Sequence, residues 1–223
     1  MTKTLELCCE LYRLELMVGL EDRLHQLGFR AVAGVDEAGR GCLAGPVVAA
    51  AVIPDDGPPV PGVDDSKRLD PATRSRLAGE IRRRSRAVAV AAVAADWIDR
   101  INILEATRLA MRRALAGLGV APDAVLSDAV KLPGLDVPCI PAVKADAWNY
   151  AVACASIVAK ASRDERMREL DRELPWYGFA VHKGYGAPAH LEALDRFGPS
   201  PEHRLTFRSV LPRSGDAAKR RVA

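Results

Sequence analysis

The sequence predicts an α/β fold built on a mixed sheet, and three observations carry that expectation. Apolar runs of strand length alternate along the chain with segments whose apolar residues recur at helical spacing. The first two runs, residues 31–35 and 47–53, stand too close together for a helical crossover and so form an antiparallel pair. Acidic residues fall at or just past the ends of three runs, where α/β sheets place their ligands.

Taken in order, residues 5–27 carry an apolar stripe (Leu5, Cys9, Tyr12, Leu16, Leu20, Leu24) and predict an amphipathic leading helix that ends near Gly28. Residues 31–35 form a strand that stops at Asp36-Glu37, and residues 47–53 form a second, closed by Pro54 and a Pro/Gly/Asp loop. Pro71 opens a helix running to Arg86, with Asp70 as its N-cap. Residues 87–94 make a third strand. Ile101, Leu104, Met111, Leu115 and Leu118 then share a helical stripe that stops at Gly119. Two short strands follow, 124–126 ending at Ser127-Asp128 and 137–143 ending at Lys144-Ala145-Asp146. Helical patterns cover 148–170 and 188–197. There is no internal repeat.

At 223 residues the chain can bury about 70% of its unfolded surface without disulfides or a structural metal. It is 49% hydrophobic and 27% charged, which excludes a disordered or collagen-like chain. No apolar run approaches the ~20 residues of a membrane span. The first residues break their apolar stretch with acids and do not read as a signal peptide, so a soluble, cytoplasmic protein is expected. The cysteines (Cys8, Cys9, Cys42, Cys139, Cys154) lack paired metal spacings and read as free thiols. Net charge is only +3, but its distribution is uneven. Arg74, Arg76, Arg82, Arg83, Arg84 and Arg86 face one acid, Glu80, and a second basic stretch follows Pro201. Such patches fit a protein that grips a polyanion, although solvated helix faces would look the same.

Asp36, Glu37, Asp128 and Asp146 are the acids at strand ends. Without a sulfur or histidine partner they suit a hard cation such as Mg²⁺ or Mn²⁺. Gathered in one cleft they would repel unless a cation neutralised them, and two such ions can drive phosphodiester hydrolysis. Acids that merely cap helices or close turns are the alternative, and spacing alone leaves it open. The run Gly39-x-Gly41-x-x-Ala44 imitates a dinucleotide fingerprint, but a strand rather than a helix follows it, which argues against a nicotinamide or flavin site. Glycines there let backbone N–H groups approach a nucleic-acid backbone, and Arg40 adds a cationic fork.

Asp36-Glu37-Ala38-Gly39-Arg40-Gly41, followed by Ala44-Gly45-Pro46-Val47, resembles the signature of ribonuclease HII, the type 2 ribonuclease H. The likeness continues in order through Asp65-Ser66-Lys67-Arg68-Leu69, Ile101-Asn102-Ile103-Leu104-Glu105-Ala106-Thr107 and Ser127-Asp128. It extends through Lys144-Ala145-Asp146, Ala155-Ser156-Ile157-Val158-Ala159-Lys160, Arg163-Asp164, His182-Lys183-Gly184-Tyr185-Gly186 and Pro201-Glu202-His203-Arg204, covering roughly residues 30–210.

The resemblance implies a ribonuclease H-like mixed five-stranded sheet flanked by helices, with additional C-terminal helices. Residues 29–212 would be the catalytic domain, 1–28 a helical extension and 213–223 a basic tail. Asp36, Glu37, Asp128 and Asp146 would be the catalytic and metal-binding carboxylates, holding Mg²⁺ or Mn²⁺, two ions with substrate bound. Gly39, Arg40 and Gly41 would read the 2′-hydroxyl, Tyr185 would stack on the adjacent deoxyribose, and Ser66 and Lys67 would contact the DNA strand or a phosphate. The implied substrates are RNA–DNA hybrids and duplex DNA carrying single ribonucleotides. These would be cut endonucleolytically on the 5′ side to leave 3′-hydroxyl and 5′-phosphate ends, a step of ribonucleotide excision repair. A monomer without an obligate protein partner or a membrane is expected. Cys42 stands where proline is expected, Ala187-Pro188 where threonine is usual, and Asp146 sits in Lys-Ala-Asp rather than Gly-Asp; no carboxylate is lost. The competing readings are an exonuclease of the same acid chemistry and a silent hybrid-binding module.

Overall fold

The computed structural model describes residues 3–211, so the basic segment 213–223 lies outside the described residues. Helix α1 (Lys3–Gln26) precedes the antiparallel strands β1 (Val32–Ala38) and β2 (Val47–Ile53). Helix α2 (Pro71–Arg84), strand β3 (Ala87–Val93) and helix α3 (Ala95–Ala116) follow. Strands β4 (Ala124–Asp128) and β5 (Cys139–Ala142) lead into a single 3₁₀ turn (Ala145–Ala147) and the long α4 (Tyr150–Glu173). Helices α5 (Phe179–His182) and α6 (Pro188–Phe197) complete the described chain. The sheet is mixed, in the order β3-β2-β1-β4-β5, with β1–β4 and β4–β5 parallel and the other pairs antiparallel.

Alternation along the central strands sorts the core into two layers. Ala33, Val35, Val47, Ala49, Ala51 and Ile53 pack with Ile98, Ala106, Ala110 and Met111 of α3 on one face. Ala50 and Val52 pack on the other face with Leu77 and Ile81 of α2 and with Ala153 and Ile157 of α4. Helix α4 lies so close to β1 that a Cβ at Gly34 would stand 2.1 Å from the Ala151 carbonyl carbon. Only glycine permits this approach.

Three local expectations are corrected. The first strand does not stop at Asp36-Glu37, because pairing of Asp36 with Ala50 and Glu37 with Ala49 carries the ladder through both acids. The helix predicted from Ile101 begins at Ala95 and kinks at Asn102 (φ 66°), whose side chain caps the second half by accepting from the Leu104 and Glu105 amides. In α1 the buried face is Leu14, Met17, Glu21 and Leu24, whereas Leu5, Cys9, Tyr12 and Leu16 of the predicted stripe are exposed.

Polar contacts choose that face. Glu21 accepts from Asn149 Nδ2 (2.7 Å) and the Ala151 amide (2.8 Å) at the start of α4, while Arg13 donates to the Val63 carbonyl and Glu10 accepts from the Gly62 amide. Asp70 caps α2 as expected, accepting from the Ala72 and Thr73 amides. Arg74 of the arginine-rich helix turns inward, whereas Arg76, Arg82 and Arg83 of the same helix are exposed. Among the described residues no helix is long and apolar enough to cross a membrane.

Two expectations test this packing. Gly34→Ala forces apart the β1–α4 contact and lowers stability by about 3 kcal/mol, read as a fall of roughly 10 °C in the thermal midpoint. Burial raises the Glu21 carboxyl from 4.5 to about 7. The folded state then holds a proton that the unfolded chain releases, so stability declines as pH rises from about 4.5 to 7 and levels off above. Glu21→Gln removes this slope, worth up to about 3 kcal/mol, in urea titrations across that range.

Candidate metal centre and its loops

The parallel pairing of β1 with β4 ends at Val35 beside Ser127, and Asp36 and Asp128 follow one residue further on. Both project toward the α4 side, in step with Gly34 and Leu126. Asp146 comes from the 3₁₀ turn that joins β5 to α4, and this turn is tied back by the Ala145 amide, which donates to Asp128 Oδ1 at 2.9 Å. One carboxylate oxygen from each of Asp36, Asp128 and Asp146 lies within 4.8 Å of the others. Glu37, next to Asp36 in the strand, is not one of these three, but it stands close enough for the charges of Asp128 and Lys67 to act on it. Its Oε1 accepts from Arg40 at 3.3 Å, while its Oε2 is buried with no hydrogen-bond partner.

The charges are uncomfortable together. Burial, then the neighbouring Glu37 charge, pushes the Asp36 carboxyl well above the usual range, against a hydrogen bond from Ser156. Burial also raises Glu37, with Arg40 opposing, and raises Asp128, with the Asp146 charge adding to the effect. Lys67 gives partial relief: its ammonium lies 3.0 Å from Asp146 Oδ2. Desolvation works against the Lys67 charge, but the bond to Asp146 together with the charges of Asp146, Asp65 and Asp36 outweighs it and raises the lysine. An all-oxygen triad with an excess of negative charge and an orphaned carboxylate oxygen beside it fits a hard divalent cation.

The glycine loop lies beside these acids and is held from below by two fully buried arginines. Arg163 donates to the carbonyls of Pro46 (3.0 Å), Ala44 (3.1 Å) and Lys183 (2.9 Å). Arg204 donates to Gly45 twice (3.1 and 2.9 Å) and to Arg40 (2.9 Å). Gly39 adopts φ +95°, and a Cβ there would sit 2.0 Å from Arg163 Nε, so the loop crosses its anchor where no side chain fits. Gly41 has open space around its α-carbon, and the Arg40 side chain reaches solvent.

Tyr185 stands half-exposed across the loop, with the Lys160 ammonium 6.0 Å from its ring centre. Its carbonyl accepts from His190 Nδ1 at 2.8 Å, and His190 Nε2 meets His203 Nε2 at 3.0 Å. Because His203 Nδ1 accepts from the Ser200 amide, His203 donates and His190 accepts, which fixes both rings as neutral tautomers. Burial lowers His190 and brings His203 down to about 4. Both histidines are braces and not general bases. Of the Ser66-Lys67 pair, Ser66 is 3% exposed, with its hydroxyl 2.9 Å from that of Ser156, while the Lys67 side chain reaches outward.

Sequence reasoning matched the Arg163-Asp164 and His203-Arg204 dipeptides to a family pattern but gave them no chemical task.

A family model for ribonuclease HII matches residues 33–210 of the chain. A ribonuclease HII of Solibacter usitatus (strain Ellin6076) is 52% identical over 191 residues, which span 86% of this chain and 83% of the relative. Another, of Chloroflexus aggregans (strain MD-66 / DSM 9485), is 49% identical over 201 residues, spanning 87% of this chain and 94% of the relative. The crystal structure of the ribonuclease H2 from Pyrococcus horikoshii OT3 matches with a TM-score of 0.67 at 27% identity, covering 81% of this chain and 95% of that one.

The strained triad makes a prediction about the metal-free protein. Deprotonating a carboxyl whose folded pKa is raised destabilises the fold as pH climbs, and an amide carries no such penalty. Asp36→Asn therefore has the higher thermal midpoint in EDTA at neutral pH. Added Mn²⁺ reverses the ranking: at a hundredfold excess over Kd the wild type gains roughly 3 kcal/mol, and the variant gains less.

Proposed function

The chain belongs to the ribonuclease HII family, whose members are nucleases, and we propose that it cuts the RNA strand of RNA–DNA hybrids as an endonuclease. At a single ribonucleotide within duplex DNA it breaks the phosphodiester on the 5′ side, leaving a 3′-hydroxyl and a 5′-phosphate. The observation that carries this reading is the convergence of Asp36, Asp128 and Asp146 beside a glycine loop braced on both sides.

In this reading residues 29–212 form the catalytic unit. Asp36, Asp128 and Asp146 hold the cation, and Glu37, with its unpaired oxygen, completes the set. A pair of divalent ions, Mg²⁺ or Mn²⁺, supplies a water acidified for attack and charge neutralisation at the departing 3′-oxygen. The protein's own groups do the positioning. Gly39 and Gly41 let the loop backbone come close to the sugar carrying the 2′-hydroxyl, the feature that separates RNA from DNA at one nucleotide. The exposed Arg40 fork meets a phosphate. Tyr185 offers an aromatic face to the deoxyribose that follows, and Lys67 lies at the rim, where a second phosphate can approach.

The test is an end-labelled DNA duplex with one ribonucleotide, incubated with Mg²⁺, Mn²⁺ or EDTA beside an all-DNA duplex. A single metal-dependent cut 5′ of the ribonucleotide is expected, with activity about a hundredfold lower in Asp128→Asn. Cleavage of long hybrids alone would withdraw the junction-reading roles of Gly39, Arg40, Gly41 and Tyr185. Cleavage of neither substrate would sink the enzyme reading.

A further inference from the structure

Arg163 secures the glycine loop, and its neighbour Asp164 faces a different segment. Asp164 is 4% exposed and accepts from Arg74 Nη1 at 2.9 Å and from Lys160 Nζ at 2.6 Å. Arg74, also buried, uses its remaining donors on main-chain carbonyls: Nε on Ser66 at 3.0 Å and Nη2 on Leu69 at 2.7 Å. The segment from Pro54 to Asp70 contains neither helix nor strand, so its own backbone ladder cannot fix where Ser66 and Lys67 lie. The bond from Arg74 supplies that constraint, and Asp164 keeps the buried guanidinium compensated.

The segment so held meets the carboxylate triad at two points. The Ser66 hydroxyl lies 2.9 Å from the Ser156 hydroxyl, which in turn donates to Asp36. The Lys67 ammonium bonds Asp146. We propose that Asp164, acting through Arg74, is a positioning residue for the metal-binding carboxylates: the pair sets the Ser66–Lys67 segment that orients Asp36 and Asp146. Groups outside the ligand shell that orient ligating carboxylates commonly govern metal affinity. The inference rests on the triad being the divalent-cation site of the proposed nuclease.

Two variants test it against the wild type. Asp164→Asn removes the charge that compensates Arg74. Arg74→Lys keeps a cation beside Asp164 but gives up the two carbonyl bonds, so it separates positioning from simple charge burial and serves if Asp164→Asn fails to fold. Mn²⁺ binding is followed by calorimetry and by the Mn²⁺ electron paramagnetic resonance signal. Hybrid cleavage supplies kcat and KM, and circular dichroism reports folding at the assay temperature. Both folded variants are expected to bind Mn²⁺ about tenfold more weakly and to lose kcat by a similar factor, with KM nearly unchanged. Mn²⁺ binding that is tighter, or within about twofold of wild type, in folded Arg74→Lys overturns the inference. A wild-type protein that neither binds Mn²⁺ nor cuts hybrids overturns the functional reading itself, which keeps the two failures apart.

Discussion

The contact between α4 and β1, closed over Gly34, is the constraint on which the rest of the structure depends. With no side chain between helix and strand, the helix cannot slide or lift without losing the core on that face of the sheet. Everything in the site is measured from this fixed rod. Its first turn follows closely on the Asp146 turn, its second brings Ser156 to Asp36, and its middle presents Arg163 and Asp164 to the loops. Helix α1 fastens the same rod at its beginning, where Glu21 receives the Ala151 N–H that the helix start would otherwise leave without a partner, together with the Asn149 side-chain amide.

Against that rigid background the carboxylates are held in mutual conflict. Three acids share one space, burial favours the neutral forms of Asp36 and Asp128, and the Lys67 ammonium bonds only Asp146. Separating them would relieve the repulsion, but the backbone positions are set by strand pairing and by the tie from the Ala145 amide to Asp128. This repulsion is the counterpart of cation affinity, since a divalent cation held by the three acids would relieve it.

Much of this was legible in the sequence because it follows from periodicity. The alternation of elements, the antiparallel first pair and the Asp70 cap each depend on residues close in sequence, and the structure reproduces them. The acids at strand ends were legible for the same reason. What the sequence concealed depends on partners far along the chain. Nothing local announces that Glu21 caps a helix 130 residues away, and of the apparent apolar stripe of α1 only Leu20 and Leu24 turn to the core. Arg74 looked like one more member of a basic run until burial singled it out.

Arg163 and Arg204 direct their guanidinium bonds at main-chain carbonyls, and this has a consequence for how the loops can change. A carbonyl is the one acceptor that every amino acid presents alike, so such an anchor is indifferent to the side chain above it. Apart from Gly39, Gly45 and Gly184, where a Cβ would run into Arg163, Met167 or the Ala44 carbonyl, positions in these loops can exchange residues while the main chain stays where it is. Cys42 in its buried place is one such choice. A frame fastened in this way lets the surface that meets a nucleic acid drift in chemistry without drifting in shape.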